Sequence, residues 1–74
     1  MELSVVKPNS QVKIQCFNDT DLELKLLEFG IAIGSKVFVQ RKAPFGGPIL
    51  IETQNGMIAL RKEEAQTLEV ELVA

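Results

Sequence analysis

Three observations in a chain of 74 residues predict a mainly β fold. Five short runs have the length and apolar patterning of strands. One helical segment, bounded at both ends by capping signals, follows the first of them. The connections are rich in Pro, Gly and Asn, and none reads as a parallel crossover. Together they specify a small five-stranded antiparallel barrel of SH3-like type with one α-helix after the first strand.

The first strand runs from Ser10 to Cys16, with Val12, Ile14 and Cys16 on the inner parity and Lys13 and Gln15 on the outer. Lys7-Pro8-Asn9-Ser10 before it is turn chemistry, and Asn9 tolerates a left-handed backbone. Thr20-Asp21-Leu22-Glu23 reads as a capping box, opening a helix that continues to Phe29 and stops at Gly30. Leu22, Leu26 and Phe29 share its core arc, while Leu24 and Leu27 fall on the opposite side.

Lys36–Lys42 is the second strand, Ile49–Gln54 the third and Met57–Arg61 the fourth. Asn55-Gly56 signals a two-residue type I′ hairpin, which would set Thr53 opposite Ile58 and Ile51 opposite Leu60. Ile49, Ile51, Ile58 and Leu60 then face inward. Leu50, Glu52, Met57, Ala59 and Arg61 face outward, with Glu52 and Arg61 as diagonal neighbours able to pair. Lys62–Ala65 is a short helical turn, and Leu68, Val70 and Leu72 alternate with Glu69 and Glu71 in a fifth strand.

Composition narrows the function. Residues 1–74 form a single domain, and a chain this short buries only about 60% of its unfolded surface. A net charge of −2 with no histidine argues against non-specific nucleic-acid binding and removes the ordinary general base of neutral pH. One cysteine excludes a disulfide framework and the spacings of zinc fingers. Cys16, on an inward parity, is expected to pack as a small hydrophobe. No metal site, cofactor or catalytic residue is expected. No apolar run approaches the roughly 20 residues that cross a bilayer, and the N-terminus lacks signal-peptide character. The expectation is a soluble cytoplasmic protein.

Between the second and third strands lies Arg41-Lys42-Ala43-Pro44-Phe45-Gly46-Gly47-Pro48. Two prolines and two glycines bracket a lone aromatic, and such a segment continues neither strand. It must be a defined surface connection presenting Phe45 beside Arg41 and Lys42.

Leu26-Leu27-Glu28-Phe29-Gly30-Ile31-Ala32-Ile33-Gly34, then this turn, then Ala59-Leu60-Arg61 and Glu64-Ala65, resemble the FeoA family of bacterial ferrous iron transport proteins. The resemblance runs from about Val12 to Val73, with Gly30, Gly34, Gly46, Pro48, Asn55 and Gly56 as its structural positions. It implies an SH3-like barrel without enzymatic activity. It also implies an accessory role beside FeoB, the membrane permease with a cytoplasmic G-protein domain that imports Fe²⁺, and a cytoplasmic location, to which a peripheral position at the inner face of the cytoplasmic membrane is added as an expectation. Gly47 departs from the acidic residue the family often carries there, and Asn9 stands where the family commonly has glycine.

Three surfaces compete for a partner: the Pro44–Pro48 turn with Arg41, Lys42 and Phe45; the outer hairpin face of Leu50 and Met57 with Arg61; and the Leu24/Leu27 side of the helix. Aromatic and arginine anchors favour the turn, unless Phe45 folds back as a lid on the barrel. A free sheet edge could add self-association. Two rival functions stay open: a stand-alone regulatory domain related to iron-dependent transcriptional repressors, and a small RNA-binding barrel using Arg41, Lys42, Arg61, Lys62 and Phe45. The net charge disfavours the second.

Overall fold

A computed structural model describes residues 1–73; Ala74, the last residue of the expected domain, lies outside the described residues. A 3₁₀ turn (Leu3–Val5) leads into β1 (Ser10–Phe17), α1 (Thr20–Glu28), β2 (Lys36–Lys42), β3 (Ile49–Thr53), β4 (Gly56–Leu60), α2 (Lys62–Gln66) and β5 (Leu68–Leu72). The strands form one antiparallel sheet in the order β4-β3-β2-β1-β5. This is the SH3-like arrangement. The sheet does not close: β4 and β5 are its two edges, so "barrel" describes its curl rather than its hydrogen bonding.

The inner face buries Val12, Ile14, Val37, Val39, Ile49, Ile51, Ile58, Leu60, Leu68 and Val70. Leu22 and Leu26 of α1, Ala65 of α2, Ile31, and Leu3 and Val6 of the N-terminal segment complete one core. Alternation predicted the strand residues of this set. Leu3 and Val6 belong to a segment without periodicity and come into the core through tertiary packing.

Two bulges correct the expected parity. Ile14 pairs with Val70, but Cys16 pairs with Glu69, so Gln15 and Cys16 together oppose one residue of β5. An extra residue reverses every side chain beyond it. Cys16 is therefore exposed rather than packed, and Phe17 turns inward against the core. In β2, Val39 pairs with Ile51 and Arg41 with Leu50, so Gln40 is the extra residue. Lys42 then pairs with Ile49 on the inward parity.

The helix begins one residue earlier than the capping box implies. Asp19 is the N-cap, its carboxylate accepting from the Asp21 amide at 3.0 Å, and Thr20 is the first helical residue. The short aspartate reaches the second amide without help from Glu23. At the other end Phe29 is the C-cap and remains exposed, so the core arc holds Leu22 and Leu26 alone.

The β3–β4 register differs from expectation by two residues. Ile51 pairs with Ile58, Ile49 with Leu60 and Thr53 with Gly56, leaving Gln54-Asn55 as the loop. Neither loop residue has positive φ, so the type I′ turn is absent here; Gly56 alone reaches φ 118°. A shift of two preserves parity, which is why the predicted inner face survives. It also separates Arg61 from Glu52. Glu52 instead accepts from Gln40 Nε2 at 3.0 Å.

Candidate functional site

The segment joining β2 to β3 is held by two backbone hydrogen bonds. The Ala43 amide donates to the Pro48 carbonyl at 2.9 Å, and the Gly47 amide to the Pro44 carbonyl at 3.2 Å. Phe45 has φ 59° and Gly46 φ 74°. Positive φ at both central residues with this closing bond is the sign pattern of a type I′ turn. The turn type expected at Asn55-Gly56 is thus found at Phe45-Gly46. Asn, Asp or Gly ordinarily fills its first central position, and here it is phenylalanine. Gly47 is required by close approach: a Cβ there would lie 2.7 Å from Ala43 Cβ and 3.2 Å from the Pro44 carbonyl oxygen.

Phe45 stands clear of the protein, with a relative exposure of 105%. It is not a lid. Leu3 and Val6 of the N-terminal segment are buried in the core, and the ring makes no such contribution. Pro44, the preceding residue, and Arg41, near the end of β2, are also exposed.

Lys42 is not a free surface cation. Turned inward by the β2 bulge, it is half-buried and its Nζ donates to the Ser4 carbonyl at 2.6 Å, tying the turn to the N-terminal segment. The aliphatic part of Lys62 takes the place beside the turn, with its Cδ 3.5 Å from where a Gly46 Cβ would stand. A cavity of about 220 Å³ at the foot of the turn is lined by Ser4, Lys42, Gly46, Gly47 and Lys62 among others.

The second surface is partly as expected. Met57 is exposed, Leu50 is half-buried, and Leu50 lies opposite Ala59. Arg61 no longer pairs with Glu52. It is the N-cap residue of α2, where its amide donates to Glu64 Oε1 at 2.9 Å. That backbone hydrogen bond, aided by Lys25 Nζ at 3.3 Å from Glu64 Oε2, holds the Glu64 carboxyl below its ordinary value of 4.5 against the opposing effect of partial burial.

On the third surface Leu24 and Leu27 are each 57% exposed, with no segment folded over them among the described residues. Ile33 and Val5 are more exposed still. Ile33 lies in the connection between α1 and β2 and Val5 in the 3₁₀ turn, and neither segment is long enough to carry a periodicity.

The turn and α1 serve opposite ends of β3. Asn55, at the far end, donates from Nδ2 to the Phe29 carbonyl at 2.7 Å and fastens the hairpin tip to the helix terminus. A cavity of about 290 Å³ lies there among Phe29, Ile31, Ser35, Lys36 and Asn55. Among the described residues no group of three His, Cys, Asp or Glu side chains could hold a metal ion, and no helix is long and apolar enough to cross a membrane.

A single curled antiparallel sheet in the order β4-β3-β2-β1-β5, with one helix after the first strand, defines the class of small SH3-like β domains. Residues 1–72 match the family model described as the FeoA domain, and the chain belongs to the FeoA family. It is similar to the FeoA protein of Chlorobium tepidum, at 27% identity and a TM-score of 0.91, over 100% of this chain and 71% of that one. It is also similar to iron(II) transport protein A of Clostridium thermocellum, at 35% identity and a TM-score of 0.87, over 99% of this chain and 46% of that one. A manganese-dependent transcriptional repressor shares the fold alone, at 17% identity and a TM-score of 0.85, over 99% of this chain and 41% of that one.

Proposed function

We propose that this chain is a non-enzymatic accessory protein of bacterial ferrous iron uptake that docks on a FeoB-type permease through its Phe45 turn. Membership of the FeoA family supports the pathway. The observation that carries the site is Phe45 itself, fully exposed at a strained position of a hydrogen-bonded turn. Water gains nothing from an ordered aromatic ring, and a left-handed phenylalanine costs about 1–2 kcal/mol that glycine would avoid. Local strain kept at an exposed aromatic fits a binding anchor better than a structural one.

Arg41, exposed on β2 before the turn, supplies a second anchor; Lys42 is engaged internally and supplies the support. The protein would work at the inner face of the cytoplasmic membrane. The likeness to the repressor is one of fold, and it gives the stand-alone regulatory reading no support of its own.

The test is binding of the purified protein to the cytoplasmic G-domain of the matching permease, with and without guanine nucleotide. Phe45→Ala and Arg41→Ala are expected to weaken binding while leaving the fold intact. Wild-type affinity in both variants would remove the turn from the interface.

A further inference from the structure

The two edges of the sheet are treated differently. The β5 edge is guarded. The Met1 carbonyl accepts from the Val70 amide at 2.8 Å, Glu2 forms a bridge with Glu69, and the strand carries Glu69 and Glu71. Charged edge residues and a covering segment are two of the devices that keep edges from pairing with other chains. The β4 edge has none of them. Gly56-Met57-Ile58-Ala59-Leu60 contains no charge and no proline, runs against β3 without a bulge, and among the described residues has no strand on its other side.

We propose that β4 is a self-association edge, pairing antiparallel with β4 of a second copy so that two five-stranded sheets become one. Its composition selects a copy of itself as occupant. A two-fold axis through Ile58 sets Met57 against Ala59 of the other copy and Ile58 against Ile58. Gly56 then faces Leu60, so the whole strand is used. Large meets small on the outer face, where Met57 is 47% exposed and Ala59 is exposed. Just beyond the strand Asn55 faces Arg61, and no two like charges meet. The same operation on β5 would bring its glutamates together, which is unfavourable. The contact is isologous and therefore closes at two copies. It is independent of the docking turn.

Sedimentation equilibrium over a protein range from micromolar to millimolar tests the assignment, with amide hydrogen exchange at both ends of the range. The expected result is a reversible dimer with amides of Met57–Ala59 gaining protection as concentration rises. Ala59→Lys and Met57→Lys, both at exposed positions, are expected to be monomeric at millimolar protein with unchanged far-UV circular dichroism. A wild-type protein that stays monomeric at millimolar concentration overturns the proposal. So does a dimer that survives both lysine variants, or one whose concentration-dependent protection lies outside β4.

Discussion

Replacing Phe45 with asparagine should make the protein more stable while removing its exposed ring. The magnitude follows from the turn. At 105% relative exposure the ring contributes no burial, so its loss removes no hydrophobic stabilisation. At φ 59° the backbone is in the region that costs a non-glycine residue about 1–2 kcal/mol, and asparagine tolerates it best among residues with a Cβ. Asn-Gly is also the preferred pair for a type I′ turn.

The expected gain for Phe45→Asn is about 1 kcal/mol, which is roughly 4–8 °C in Tm for a domain of this size. Phe45→Ala keeps the left-handed cost and should stay within about 0.5 kcal/mol of wild type. Urea unfolding followed by far-UV circular dichroism is the assay, since the chain has neither Trp nor Tyr to report by fluorescence. A loss above about 1 kcal/mol in Phe45→Ala would mean that the ring is packed. Phe45→Asn no more stable than Phe45→Ala would mean that the turn is not left-handed at this residue.

Three other outcomes are expected. Ile51→Ala, at a fully buried position of β3, should destabilise by about 2–5 kcal/mol in the same assay. Cys16, exposed by the β1 bulge, should react with a thiol reagent in the folded protein nearly as fast as in urea; strong native protection would contradict the bulge. Glu64 has a folded pKa below its unfolded value, so its contribution to stability is complete above pH 4.5 and is lost as pH falls through the lower folded value. The stability difference between wild type and Glu64→Gln should therefore be largest near neutrality and shrink on acidification, and a gap that does not change with pH would exclude the carboxylate's role at Arg61.

The fold was legible wherever alternation ran unbroken. Val37 and Val39, Ile49 and Ile51, and Ile58 and Leu60 were placed on the inner face by parity alone, and the family resemblance agrees with the observed topology. Bulges were not legible, because Gln15 and Gln40 leave no trace in composition when they enter a ladder as extra residues. That single cause puts Cys16 outside and turns Lys42 inward. At the hairpin the strong local preference of Asn-Gly is overridden, because Asn55 is engaged with the Phe29 carbonyl and Gly56 already belongs to β4. At the candidate site, Pro and Gly around Phe45 were enough to infer an exposed turn. The N-terminal segment's grip on Lys42 was not, since it depends on a contact across 38 residues.

The strand order also sets a timetable for synthesis. β2, β3 and β4 are consecutive neighbours and can pair as soon as each has emerged. β1 obtains only one of its partners that way. Its other edge waits for β5, and Val12 meets Leu72 some 60 residues later in the chain. At about 5–20 residues per second, the nascent chain carries that unpaired edge for roughly 3–12 seconds. A chain released after β4 would therefore have four of the five strands, and the one it lacks is the second partner of the first strand made.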